Sequence, residues 1–203
     1  MHLRRAHYLS MPWRNGAGVT LEIARAPAAG SEFLWRLSLA TVASSGPFSN
    51  YPGYRRSVTL IGGDGFRLDI GDSDRVVLDS IGATAVFAGD VPTGCALIDG
   101  PSSDLSLMVR EPGRIVSVTR IQCTAAQVTP LPAGALKAFF CLSAQAILTI
   151  AGGLMAGIPG PKQFGLALQD TLLLGPQGGA VSIQPSPIEP AELLLLMWSV
   201  ASP

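Results

Sequence analysis

Histidine is nearly absent from this chain. Only His2 and His7 occur, both near the N-terminus. That excludes an interior metal centre built from several histidines. Cysteine is scarce as well. Cys95, Cys123 and Cys141 lie 28 and 18 residues apart and match no zinc or redox spacing. An odd number without close pairs reads as reduced thiols buried as small hydrophobes in a cytoplasmic protein. Charge is sparse, at 14% of residues, with 14 basic side chains against 14 acidic ones. A neutral chain has no general pull on nucleic acid or an anionic membrane, so neither is expected as a partner. No long hydrophobic run is present: Leu193 to Met197 is far too short to span a bilayer. The Trp13-Arg14-Asn15 interruption also argues against an N-terminal signal peptide.

What is present is apolar residue and turn residue. Of 203 residues 48% are hydrophobic, and 23 Gly and 16 Pro punctuate the chain every few positions. That pattern excludes long helices and disorder. Alternating stretches recur: Leu34–Ala40, Ser57–Ile61, Phe66–Ile70, Asp104–Arg110 and Ile115–Arg120. Each puts one face in a core and the other in solvent or a cavity. Clusters such as Gly62-Gly63-Asp64-Gly65 separate them. Many short strands at this spacing predict an all-β sandwich or barrel. The one helix candidate is a short turn at Ala125–Val128.

Charge divides the chain. Residues 1–112 hold 10 basic and 11 acidic side chains, residues 113–203 only 4 and 3. The turn at Glu111-Pro112-Gly113 is the expected boundary between two domains, 1–112 and 113–203. The apolar second domain must cover its surface against the first or against another subunit, as in a homodimer. A strand, Gly-Gly turn and strand at Leu60–Leu68 recurs at Leu148–Met155, and an acidic turn follows each. This suggests a duplicated β-barrel.

Four segments are candidates for function. In Met11–Thr20, Trp13, Arg14 and Asn15 stand beside Gly16 and Gly18. The guanidinium offers a fork for a carboxylate, and the amide donates and accepts. The alternative is an arm folded over a barrel with Trp13 as its plug. No Lys-Ser/Thr follows, so this is no phosphate loop. In Ser45–Arg56, a Pro-, Gly- and aromatic-rich loop with Phe48 and Ser49 feeds a strand carrying Arg56. Arg56 shares the side of Val58 and Leu60, and a buried arginine needs an anion from a side chain or a ligand. Phe87–Gly94 reads as a structural turn. In Gly100–Arg110, Asp104 can pair with Arg56, Arg36 or Arg14, or accept from a ligand. No nucleophile elbow and no interior histidine base occurs, so no catalytic residue is named.

Together these segments resemble the HutD/Ves family. The resemblance rests on Pro12–Gly18 with Glu22-Ile23-Ala24, on Trp35–Ser38, on Gly46–Gly53 followed by Arg56, and on Phe87–Pro92 with Gly100–Met108. The sequence departs from the family pattern at Arg14, Ala17, Arg55 and Ser106. The resemblance implies cupin-type β-barrels duplicated in one chain. It implies an accessory or regulatory role in histidine utilisation, with a small carboxylate such as formylglutamate, urocanate or formate as ligand. The expected contacts are Trp13, Arg14, Asn15, Phe48, Ser49, Arg56 and Asp104. Metal-holding cupin histidines are missing, so no metal and no cofactor is expected. The rival expectations are a metal-independent isomerase or hydrolase using Asp104 or Tyr54, and a module whose apolar second half docks a partner.

Overall fold

The computed structural model describes residues 1–12, 18–30, 32–151 and 160–200. Among the described residues the protein is all-β apart from one 3-10 turn at Arg5–His7. In chain order the strands are β1 (His2–Leu3), β2 (Leu9–Pro12), β3 (Gly18–Ala26), β4 (Trp35–Val42), β5 (Gly46–Pro47), β6 (Tyr54–Gly62), β7 (Phe66–Ile70), β8 (Asp74–Leu78), β9 (Thr84–Ala88), β10 (Thr93–Leu97) and β11 (Ser102–Arg110). They continue as β12 (Arg114–Cys123), β13 (Gln127–Leu131), β14 (Leu136–Cys141), β15 (Gln145–Ile150), β16 (Lys162–Ala167), β17 (Thr171–Leu174), β18 (Gly179–Pro185) and β19 (Ala191–Ser199).

Two units divide the chain. One is chiefly Tyr8–Ile115, the other Met1–His7 with Val116–Ser199. The first unit holds a six-stranded sheet, β2-β3-β4-β11-β6-β9, and a four-stranded sheet, β5-β10-β7-β8. Val58, Leu60, Ala85 and Phe87 of the larger sheet meet Phe66, Leu68, Leu78 and Cys95 of the smaller one in an apolar core. The second unit holds β1-β17-β14-β19-β12 and β13-β18-β15-β16. Its core joins Phe139, Cys141, Leu172 and Leu193 to Leu148, Leu166 and Ile183. Residues 1–7 were expected with the first domain. Instead β1 pairs with β17 of the second unit, His2 opposite Leu172.

The strand orders repeat. β4-β11-β6-β9 of the first unit corresponds to β12-β19-β14-β17 of the second, and β5-β10-β7-β8 to β13-β18-β15-β16. Each of the eight strands β4 to β11 finds its counterpart eight strands later. The register differs from the one read in the sequence. The counterpart of the β6–β7 connection, which passes from one sheet to the other, is β14–β15, which turns at residues 142–144. The Gly-Gly signal at 152–153 lies outside the described residues. The helix expected at 125–128 does not form. Residues 124–125 bend the chain, and Val128 joins β13 opposite Ser182. A β-branched residue at a sheet edge gains ladder hydrogen bonds that one isolated helical turn cannot match.

Local chemistry explains the turns. Gly65 has φ +97°, a region that L-residues avoid, and a Cβ there would collide with the carbonyl of Leu78. Gly89 leaves no room for a side chain either, because a Cβ would strike the carbonyl of Tyr51. That close approach lets residues 48–54 lie against β9. The three cysteines are free and buried. No helix among the described residues is long and apolar enough to cross a membrane.

Candidate functional site

The larger sheet of the first unit has two buried faces of opposite character. On β11, Leu105, Leu107 and Val109 point one way and are fully buried. Asp104, Ser106 and Met108 point the other way, toward the core that Val58, Leu60 and Phe87 share with the smaller sheet. Opposite residues of antiparallel strands share a face. One row across the sheet is therefore Arg36, Met108, Arg56 and Phe87. The next is Glu22, Ser38, Ser106, Val58 and Ala85. The third holds Ala40, Asp104 and Leu60. Polar side chains thus enter what would otherwise be an apolar interior.

Arg56 is 7% exposed. Its guanidinium carbon lies 5.2 Å from the centre of the Phe48 ring, 5.5 Å from Tyr51 and 5.4 Å from Phe87. Three ring faces stabilise a cation that burial otherwise penalises. Nη1 donates to the carbonyl of Ser49 at 2.9 Å. The loop that provides these groups is tied down at two points. Phe48 N donates to Thr93 O at 2.8 Å, and Tyr51 N to Gly89 O at 2.7 Å. Arg36 lies 5.3 Å from the Phe33 ring and 5.4 Å from Tyr51, so Tyr51 borders both guanidinium groups. The Tyr54 hydroxyl donates to Phe33 O at 2.9 Å, which commits it to holding the loop.

Several atoms here lack partners. Among the described residues, buried Nε of Arg36, Nε of Arg56, Oγ of Ser106 and Oε2 of Glu22 make no hydrogen bond. All four belong to neighbouring rows of one sheet face. Buried polar atoms are normally satisfied, and each orphan costs about 1–3 kcal/mol. Glu22 does reach Arg25 through Oε1, at 3.5 Å. Neither Arg36 nor Arg56 forms an ion pair among the described residues.

Asp104 is 3% exposed. Burial, against the opposing pull of the Arg56 charge, raises its pKa to about 7. Arg56 in turn is lowered by burial and supported by Asp104. Asp104 and burial together push the Cys95 thiol up to about 11. The pairing of Asp104 with an arginine therefore takes the form of a field across the interior, with no direct ion pair. A carboxyl poised near neutrality in the field of the Arg56 guanidinium can take up a proton when an anion enters and release it when the anion leaves.

Among the expected site residues, Phe48, Arg56 and Asp104 converge on this face. Ser49 contributes its backbone carbonyl. Trp13, Arg14 and Asn15 lie outside the described residues. Arg36, Tyr51, Phe87, Ser106 and Glu22 were not named as site residues. Their signal was present as parity: Arg36 and Ser38 alternate with Trp35 and Leu37 as Arg56 alternates with Ser57. Only the strand pairing tells that these parities share a face. No group of three or more His, Cys, Asp or Glu able to hold a metal occurs among the described residues.

Comparison with known proteins agrees with the residues. The HutD family model matches residues 5–187. An uncharacterised 21.2 kDa protein of the hutC 3' region of Pseudomonas putida is 40% identical over 107 residues, 52% of this chain and 56% of that protein. The Ves protein of Escherichia fergusonii is 39% identical over 99 residues, 48% of this chain and 51% of its own length. The chain thus spans about half the length of the curated relatives it matches. Among solved structures, a conserved protein of unknown function from Pseudomonas aeruginosa PAO1 is 28% identical with TM-score 0.84, covering 98% of both chains. HutD from Pseudomonas fluorescens SBW25, in a formate condition, is 25% identical with TM-score 0.77, covering 100% of this chain and 99% of that one. An oxalate decarboxylase–formate complex from Lactobacillus farciminis is 8% identical with TM-score 0.72, covering 98% of this chain and 86% of that one. That last likeness is one of fold alone and makes the architecture cupin-like.

Proposed function

The chain belongs to the HutD family, and on that premise we propose that it binds a small carboxylate as an accessory or regulatory protein of histidine utilisation. The observation that carries this reading is the cluster of unpartnered buried atoms around Arg36, Arg56, Ser106 and Glu22. Two guanidinium groups on one face suit a carboxylate, whose oxygens accept from both. Phe48, Tyr51 and Phe87 exclude water around Arg56, which strengthens its attraction for an anion. Ser106 and Glu22 address further polar groups of the ligand, a demand that formylglutamate or urocanate meets and formate meets only in part.

The architecture we propose is a cupin barrel duplicated within one chain. The eight-strand offset between the two sheet orders supports it, as does the likeness to oxalate decarboxylase. The first copy carries the ligand.

The test is thermal stabilisation of chelator-treated protein by histidine, urocanate, glutamate, formylglutamate and formate. A ligand bound only by the folded state raises Tm with concentration. The expected result is a saturable rise with one of the carboxylates, clearly smaller in Arg56→Met than in wild type. No rise from well-folded protein with any of them overturns the reading. A second reading, an enzyme using Asp104 as acid or base, is favoured by the near-neutral titration of that group. Turnover of the stabilising compound by the same protein would establish it.

A further inference from the structure

The repeat of strand order allows residues of the two units to be matched one by one. β11 and β19 are each nine residues long, and Met108 and Met197 are both their seventh. Met108 stands opposite Arg56 on β6. Met197 stands opposite Lys137 on β14. Outward from these, Arg56 faces Phe87 on β9, and Lys137 faces Leu174 on β17. Lys137 therefore occupies in the second unit the place that Arg56 occupies in the first. Counted back from the ends of β4 and β12, Ser117 falls where Arg36 is.

The chemical situation repeats as well. Lys137 is fully buried, on the core-facing side of its sheet with Leu174 and Met197. Its Nζ donates to the carbonyls of Gln177 at 2.7 Å and Gly175 at 3.5 Å. Among the described residues it forms no ion pair. Burial alone lowers its pKa, with no neighbouring charge acting on it. Carbonyl dipoles satisfy two of three N–H groups but supply no negative charge, and a buried cation without a counter-charge is strongly penalised. Among the described residues, both units thus place one buried cation that forms no direct ion pair at the same point of the same strand order.

We propose that Lys137 is the cationic seat of a second anion site, in the Val116–Ser199 unit, which takes a small monovalent oxyanion of the carboxylate class. One ammonium replaces two guanidinium groups, because Ser117 stands in the Arg36 position. An ammonium is a point charge without a planar fork. The second site therefore binds its anion more weakly and with less regard to shape than the first. The placement rests on its likeness to the first unit, but the test reads Lys137 itself, so failure of the first unit's ligand reading leaves it standing.

Lysine occurs only at positions 137 and 162, which makes the test direct. Lys162 is exposed on β16 and serves as the internal reference. Protein with 13C at lysine Cε gives two side-chain signals. Sodium formate is added at constant ionic strength, with chloride as the replaced anion, to wild type and to Arg56→Met. The Lys137 signal is expected to shift saturably in both proteins and to titrate at higher pH with formate present, while Lys162 does not respond. Arg56→Met should keep a formate-dependent rise in Tm that Arg56→Met/Lys137→Met lacks. A Lys137 signal that ignores formate up to about a thousandfold excess over protein overturns the proposal and leaves the side chain as a tether for residues 175–177. If the formate-dependent rise in Tm is equal in wild type and Arg56→Met while the Lys137 signal shifts, only the first site is absent and the second stands.

Discussion

Asp104 and Arg56 lie on the same face of one sheet, and each shifts the other's proton affinity without direct contact. Burial pushes the Asp104 carboxyl up to about 7 and pushes the Arg56 guanidinium down, while their mutual attraction opposes both shifts. A folded-state carboxyl pKa above the unfolded value means that the folded protein holds the extra proton between about pH 4 and 7. Stability therefore falls as pH rises through that window, by as much as about 1.4 kcal/mol per pH unit from this one group. Asp104→Asn should lack this slope and melt above wild type at pH 8, the two converging toward pH 4. Parallel melting curves across pH 4–8 would contradict the assignment.

Arg56→Lys should not replace Arg56. Lysine keeps the charge but not the flat surface that three rings embrace or the fork that grips a carboxylate. Binding of the stabilising carboxylate should weaken by about 1.5–3 kcal/mol, the range for a hydrogen bond to a charged group. Calorimetry on the variant, with circular dichroism to verify the fold, measures this. Wild-type affinity would remove the guanidinium from the site.

Gly89→Ala tests the loop that carries Phe48 and Tyr51. The new methyl group collides with the Tyr51 carbonyl, so the loop must move off β9. Overpacking of this kind typically costs about 1–3 kcal/mol. Ligand affinity should fall as well, because Tyr51 N loses its 2.7 Å bond to Gly89 O. Unchanged Tm and affinity would show that the loop is not held there.

Asp170 anchors the N-terminal strand in the second unit. Its carboxylate accepts from Arg5 N at 3.0 Å and Ala167 N at 3.3 Å, and His2 Nε2 lies 3.0 Å away. Asparagine has one acceptor oxygen where aspartate has two. Asp170→Asn should destabilise by about 1–3 kcal/mol. Hydrogen exchange of the amides of residues 2–7 should quicken first, since β1 is a two-residue edge strand. Uniform exchange across the unit would locate the damage elsewhere.

Much of this protein was legible without coordinates, and the reasons are physical. Strand periodicity survives in short windows, because side chains alternate at every residue. Phe66–Ile70 was read with the bounds that β7 has, since Gly65 and Gly71 mark both its ends. Arg56 stood out because it shares parity with Val58 and Leu60. The repeat was visible but mis-registered, because glycine pairs mark turns without saying which strands they join. β11 gave the reverse lesson. Its leucines look like the core face and its Asp and Ser like the wet face, yet Asp104, Ser106 and Met108 face the interior between the sheets.

The chain's composition and order determined that it would be β throughout, punctuated by glycine, neutral, and equipped with an arginine beside an aromatic loop. These follow from local forces: propensity, turn geometry and the cost of burying charge. Tertiary structure decided which residues meet. Arg36 and Arg56 are twenty positions apart, and Met108 between them comes from another strand entirely. Lys137 takes the place of Arg56 only because β14 lies between β17 and β19 as β6 lies between β9 and β11. Pairing across strands is a long-range choice settled by packing, and no local window contains it.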